Sequence, residues 1–406
     1  MSDLNDVQTT AAELPHASVR VRLMELAGLF LKLGTISFGG PAAHIAMIES
    51  EIVRKRQWVT KQQFLDMLGA ANLIPGPTST EMAINTGFVR AGWAGLCIAG
   101  ASFIVPAAVI TGVFAWAYVR FGSLPQTAAV LAGIKPAVIA LIAIAIWRLG
   151  KTALKDTGLV VLGIAALAAF LVGINPILIL FGGGFIGMAA RQVPISRASA
   201  TLVIPAMFSG RSLSRLQFFG TMVFSAGVVA ARPSLLRIAL FFLKVGAVLY
   251  GGGYVLLAFL EHGLVQQHGW LTQQQLLDAI AIGQFTPGPV LSTATFIGYL
   301  LGGVPGAAVA TVGIFLPSFF YVALLAPVLF RLRQSAWIAA FLDSVNVCAV
   351  ALMTGVTFRL AADALRGWPS LLIAGVAFVI LLRWKVNSAW IVVGGGVFGL
   401  LFAAMR

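Results

Sequence analysis

Charge is what this 406-residue sequence has least of: Asp, Glu, Lys and Arg make up 10% of it, against 59% hydrophobic residues. Soluble domains carry roughly 25% charged residues, and a soluble fold of this length cannot bury so much apolar surface in one core. Acidic residues are the scarcer sign, 13 against 27 Lys and Arg, leaving a net charge of +14. The basic residues fall in short loops between apolar runs, as the loops on the inner side of a membrane protein do, so no nucleic-acid partner is expected. Cysteine is almost missing. Cys97 and Cys348 both sit inside apolar runs, which excludes a disulfide framework and a thiolate metal site. There is no P-loop, no GxSxG, no His/Cys/Asp metal spacing and no nucleophile–base pair. An enzyme, a metal and a cofactor are therefore not expected. Residues 1–25 form a polar N-terminal tail with no apolar h-region, unlike a signal peptide.

What is present is apolar length. Runs near the ~20 residues that span a bilayer as a helix cover 93–119, 126–147, 157–172, 176–190, 303–330, 336–358, 368–382 and 388–404, and mean hydropathy is +0.96. The short alternating segments of a membrane β-barrel are not seen. The expected fold is an all-α polytopic membrane protein in contact with membrane lipid.

The chain is also a duplication. FLKLGTISFGGP at 30–41 returns as FLKVGAVLYGGG at 242–253, and WVTKQQFLD at 58–66 returns as WLTQQQLLD at 270–278. Pro75-Gly76-Pro77 returns as Pro287-Gly288-Pro289, and Gly182-Gly183-Gly184 as Gly394-Gly395-Gly396. The organisation read from this is a tail (1–25), a first transporter repeat (26–190), a basic linker (191–237) and a second repeat (238–406). Arg54, Lys55, Arg56 and Lys61 crowd a loop whose counterpart at 262–273 has no Lys or Arg, while Arg383 and Lys385 fill the counterpart of the uncharged 172–176. Basic loops that change sides between repeats predict inverted halves. The expectation is about ten crossings, five per half plus one re-entrant hairpin, with both termini outside.

Thr60-x-x-Gln63 and Thr272-x-x-Gln275 read as capping boxes. The helices they start are interrupted some fifteen residues on by Pro-Gly-Pro, because proline lacks the N–H that a helix needs. The preceding runs break likewise at Gly39-Gly40-Pro41 and at Gly251-Gly252. Broken helices inside a bilayer are tolerated where the freed backbone lines a polar cavity, and a helix restarting there offers N–H groups to an anion. Thr78, Ser79 and Thr80 follow the first Pro-Gly-Pro; Ser292 and Thr293 follow the second. Asn72 and Gln284 precede them. Lys32 and Lys244, repeat-related and within apolar runs, are the candidate charge partners of a divalent oxyanion. A lysine that snorkels to the headgroups is the competing reading. Glu81, and less so His44, are the candidate proton carriers. Asp66/Asp278 and Glu49/Glu261 read as interfacial helix-pairing residues.

FGGPAAHIAMIESEIV, QWVTKQQFLDMLG, LIPGPTSTEMAI, YGGGYV and FTPGPVLSTATFIGY resemble the chromate ion transporter family in its long, two-half form, over residues 26–404. The resemblance implies a secondary transporter of the cytoplasmic membrane that exports chromate on the proton-motive force. The family motifs fall on Phe38–Pro41, Pro75–Pro77, Gly251–Gly252 and Pro287–Pro289. Members tied to chromate resistance carry an acidic residue where this chain has Thr78, which keeps a sulfate-type oxyanion carrier or an anion channel in view. A membrane scaffold without transport is the reading from another class, and a homodimer is compatible with all of them.

Overall fold

The computed structural model describes residues 18–122, 124–192, 233–250, 253, 255–325, 335–384 and 386–405. Gly251 and Gly252, Arg331, Arg333 and Lys385, the tail as far as residue 17 and the linker from 193 to 232 lie outside the described residues. Most of the described residues are helical. The first half holds α1 (Val19–Ile36), α2 (Pro41–Glu49), α3 (Lys61–Ala71), α4 (Thr78–Phe121), α5 (Pro125–Ala153), α6 (Thr157–Leu171) and α7 (Pro176–Gln192). The second holds α8 (Leu235–Val248), α9 (Leu256–Leu260), α10 (Gln273–Phe285), α11 (Thr293–Leu325), α12 (Ala336–Ala364), α13 (Trp368–Arg383) and α14 (Ser388–Ala404). Both capping boxes form, and α3 and α10 start directly after Thr60 and Thr272. A π-helical stretch closes α2 at Ser50–Lys55 and α9 at Glu261–Gln267.

Large apolar side chains line the outside at helical spacing. Val105, Val109, Val113 and Trp116 of α4 are exposed, as are Val312, Leu316, Phe320 and Leu324 of α11, while Phe103, Ala107 and Ala115 face inward. Water would penalise such stripes; lipid does not.

Two helices double back within themselves. In α4 the backbone leaves helical geometry at Ala91 and Gly92, and Gly92 has φ +61°. A Cβ on Gly87 would collide with the Gly95 carbonyl, and one on Gly95 with that of Gly87. In a continuous helix those residues would stand ~12 Å apart at 1.5 Å per residue. Residues 78–90 and 93–121 are thus two limbs joined by a tight turn. Gly302 and Gly303 do the same in α11, with Gly298 against Gly306.

This turn shows where the chain goes before it. Arg90, at the turn, pairs with Glu25 of α1 at 2.9 Å and lies 4.9 Å over the Trp58 ring. The chain therefore visits one face at residues 25, 58 and 90, and makes an excursion inward between each visit. The first excursion turns at Ser37–Gly40, the second at Asn72–Pro77. Each half has two re-entrant hairpins, α1/α2 and α3/α4 in the first, and four crossing segments follow: the long limb of α4, α5, α6 and α7. A second hairpin takes the place of one of the five crossings expected, because α1 ends at Ile36, where Gly39 and Gly40 have φ of +108° and +78°.

Equivalent helices of the two halves run antiparallel. Leu96 and Gly100 of α4 pack near Val322 and Phe319 of α11, so the numbers rise on one helix as they fall on the other. In α5 and α12, Gly150 lies against Val350 and Lys155 pairs with Asp343 at 2.7 Å. A two-fold relation that reverses a crossing helix has its axis in the membrane plane, so the repeats are inverted. The halves also interlock. Gly133 of α5 meets Gly395 of α14, and Gly183 and Gly187 of α7 meet Cys348 and Ser344 of α12. In each case the glycine triplet region of one half lets it press against the long helix of the other. Arg191 and Ser234 end on opposite faces, and so do the two ends of the described chain. Among the described residues this differs from the expectation that both termini share one side.

Candidate functional site

The tips of the hairpins meet in the interior. Gly76 N–H donates to Leu249 C=O at 2.7 Å, and Gly288 N–H donates to Ser37 C=O at 2.8 Å. Each bond joins the second tip of one half to the first tip of the other. Tyr250 O–H donates to Leu73 C=O, and Tyr321 O–H to Ala247 C=O, so two more carbonyls freed by the breaks find partners. Gly76 and Gly288 have φ +144° and +86°, a region suited to glycine. Asn72 is the C-cap of α3, its N–H bonded to α3 carbonyls; Gln284 is buried in the last turn of α10.

Polar groups collect here with nothing to bond. Ser37 Oγ, Thr80 Oγ1, Thr111 Oγ1, Gln284 Nε2, Ser292 Oγ, Ser318 Oγ and both oxygens of Glu81 are buried with no hydrogen-bond partner in the structure. All lie on the tips or on limbs of α4, α10 and α11 near them. Buried groups of this kind each cost about 1–3 kcal/mol when left unmade, so a concentration of them marks a place built for a polar guest or water. Glu81 is fully buried, and its carboxylate folds back against the Cα of Gly76 beside Ser318. It lies in the first turn of α4, where freed N–H groups favour negative charge. Its repeat partner Thr293 bonds instead to the Val290 carbonyl. His44 ties the two tips of the first half, with Nε2 3.1 Å from the Ser37 carbonyl and Nδ1 3.4 Å from Ser79 Oγ.

The two lysines do not reach this centre alike. Lys32 is 55% exposed and stands 3.7 Å from Glu51, which also holds Lys55 and Arg56. Lys244, with no carboxylate within 4 Å among the described residues, lines a cavity of about 410 Å³ with Asn175, Arg237, His262, Gln267 and His268. The place related to it by the repeat has Glu25 for Arg237 and Glu51 for Gly263, so Lys32 faces a carboxylate at 3.7 Å where Lys244 faces Gly263. Burial first, then the charges of Lys244 and Arg237, lowers the pKa of His268.

One residue escaped the sequence reading, and its partner was misplaced by it. Asp278 is not interfacial but buried, paired with Lys135 at 2.9 Å. Lys135 sits inside the apolar run of α5 with Asn346 at the matching place, so the repeat search that exposed Lys32 and Lys244 passed over it. Glu261 is likewise buried rather than interfacial and pairs with Arg359 of α12 at 3.5 Å, whereas Glu49 reaches Arg54 at 3.6 Å along its own helical stretch and, among the described residues, pairs no second helix.

Two inverted repeats with a shared polar centre describe a transporter, and the comparisons with known proteins say which kind. A family model described as "Chromate transporter" matches residues 24–188 and again 236–400. The chain belongs to the chromate transporter family. It is 32% identical over 400 residues to a chromate transport protein of Cupriavidus metallidurans, covering 97% of this chain and 96% of that one. It is likewise 32% identical over 385 residues to a chromate transport protein of Pseudomonas aeruginosa, covering 93% and 92%. A Bacillus subtilis protein named as an uncharacterized transporter aligns over 154 residues at 28% identity, 37% of this chain and 86% of its own length. No solved structure matches. Family membership makes the chain a chromate transporter and not an enzyme, consistent with its polytopic form.

Proposed function

We propose that the protein is a secondary transporter that exports chromate across the cytoplasmic membrane. The observation that carries this reading is the meeting of the four hairpin tips in a buried cluster of unpartnered hydroxyl, amide and carboxyl groups. Arg54, Lys55, Arg56, Lys61, Arg148, Lys151, Lys155 and Arg191 share the face of Trp58 and Arg90, while Arg120, Arg237, Arg359 and Arg366 belong to the other. By the positive-inside rule the first face is cytoplasmic. A divalent anion leaving a cell whose interior is negative moves downhill by about 2.3 kcal/mol per charge for each 100 mV, so export needs no nucleotide.

The roles follow from the places. The backbone at Gly39, Gly40 and Pro41, at Pro75–Pro77 and at Pro287–Pro289, with the Thr78, Ser79, Thr80 and Ser292 hydroxyls, surrounds the anion in the centre, while Thr293 keeps its bond to Val290. Gln284 donates to it, and Asn72 supports the first break. Lys244 with Arg237 attracts it at the outer face, and Lys32 adds charge at the inner one. Glu81 occupies the anion-favouring start of α4, so two negative charges compete for it. Oxyanion occupancy then requires a protonated or displaced Glu81, which links flux to protons; His44 holds the tips rather than carrying the proton. The test is flux of labelled chromate and sulfate in vesicles with and without a proton gradient and a membrane potential. Chromate flux absent under every gradient, with sulfate carried, would assign the protein to sulfate-type transport. Flux of neither would leave the scaffold.

A further inference from the structure

The ion pair between Lys135 and Asp278 lies apart from the central cluster and has no part in the scheme above. Lys135 Nζ is 2.9 Å from Asp278 Oδ1, and Tyr118 O–H donates to Asp278 Oδ2 at 2.9 Å. The side chains of Lys135 and Asp278 are 11% and 3% exposed. The three residues come from α5, α10 and α4, so the contact bridges the halves. Charge at bilayer depth is rare and marks ion or proton pathways when it occurs. A cavity of about 170 Å³ lies against the pair, lined by Tyr118, Gly122, Lys135 and Gln274, and Gln274 is exposed at the outer face.

The pair is not built from the same residues in both halves: the residue matching Lys135 is Asn346. The pair sits on α10, the limb that leads to Pro287-Gly288-Pro289 and to the bond with Ser37.

We infer that Asp278, held by Lys135 and Tyr118, is a proton-binding site that couples the outer face to the second-half hairpin. A proton entering by the small cavity adds to the carboxylate while Lys135 stays an ammonium, and the pair passes from neutral to a single positive charge. The salt bridge is lost and the phenol loses a charged acceptor, so α10 is released from α4 and α5, and its tip can part from the Ser37 carbonyl. Among the described residues, Tyr118 from α4 and Lys135 from α5 are the titratable groups that touch Asp278, and Gln274 is its polar neighbour on α10. The inference rests on the carrier reading above and adds, on the outer side of Glu81, a second group on the proton's route.

Vesicles containing the full chain allow two measurements: exchange of labelled chromate at equal pH on both sides, and accumulation driven by a pH gradient, with a trapped dye reporting proton movement. Asp278→Asn should keep exchange within about twofold of the parent and lose accumulation and chromate-evoked proton movement at least tenfold. The reversed pair, Lys135→Asp with Asp278→Lys, restores an ion pair in place but moves the carboxylate to α5, and should restore exchange without coupling. Tyr118→Phe removes a donor to the carboxylate and should move the pH midpoint of accumulation upward, a readout that survives if Asp278→Asn does not insert. Parallel loss of exchange and accumulation in Asp278→Asn, full recovery by the reversed pair, or an unmoved midpoint in Tyr118→Phe would each make the pair a structural clamp and overturn the inference. A parent that exchanges sulfate and not chromate corrects the substrate instead, and the same arms then run with sulfate.

Discussion

The amide of Gly76 bonds to the carbonyl of Leu249, and Leu249 occupies in the second repeat the place that Ser37, the acceptor for Gly288, occupies in the first. Donor and acceptor are exchanged by the same operation that exchanges the halves. The centre of the protein is thus held by backbone at its broken places, and side chains are free to face the guest.

Gly288→Ala should abolish transport and lower thermal stability by about 1–2 kcal/mol or more, the cost of forcing a Cβ into positive φ. The added carbon would also meet the Ala107 methyl group and the Gly34 carbonyl, neither of which can swing away. Gly76→Ala meets the Glu81 carboxylate and the Ser318 hydroxyl, side-chain ends that can move, so it should be milder in stability. Melting in detergent beside vesicle flux separates the two; equal destabilisation by both would contradict the argument.

Cysteines placed at Gln57 and Gln267 should label from opposite sides of the membrane, Gln57 from the cytoplasm. They flank the equivalent aromatic corners Trp58 and Trp270, which the antiparallel pairing of α4 with α11 puts on different faces. Labelling of both from one side is incompatible with inversion.

Lys244→Ala should weaken oxyanion binding about tenfold, equivalent to about 1.4 kcal/mol, and Lys32→Ala clearly less. Two unit charges at ~4 Å interact by about 4 kcal/mol at an effective dielectric near 20, but water at the cavity mouth screens part of this. Lys32 already faces Glu51, which keeps two other cations when it is removed. Titration of the purified protein with chromate, read by calorimetry, gives both constants. A Lys32→Ala effect as large as that of Lys244→Ala would show that the two ends of the path are alike.

Anion binding at the outer cavity should tighten on acidification. Burial first, then the charges of Lys244 and Arg237, lowers the pKa of His268, and the part due to the two cations is offset when a dianion binds. Protonation on lowering the pH adds attraction, and the gain should vanish in His268→Gln. An unchanged pH profile in that variant would remove His268 from the cavity's chemistry.

Much of this was legible in the residues. The capping boxes at Thr60 and Thr272 place α3 and α10 because the signal is local, a hydroxyl and an amide three residues apart. Pro-Gly-Pro announces the second break for the same reason. The first hairpin was harder to read: α1 and α2 together are as long and apolar as a crossing, and only the contact of Glu25, Trp58 and Arg90 reveals the return. Glycines 87 and 95 resemble ordinary small residues in an apolar run until they are seen touching. In the candidate site, the repeat drew attention to Lys32 and Lys244 as equals, whereas burial and neighbours divide them. Lys135 was invisible to that search because asymmetry is what defines it.

The crossed bonds at Gly76 and Gly288 also carry a history. Each half offers a donor at its second tip and an acceptor at its first, and these fit only another copy turned upside down. Such a contact is isologous, the kind that a pair of identical subunits makes across a two-fold axis. A half-length ancestor with this geometry would have had to insert in both orientations and pair with its own inverted copy in the bilayer. Fusion turns that chance meeting of two orientations into one chain, in which each half fixes the other's place.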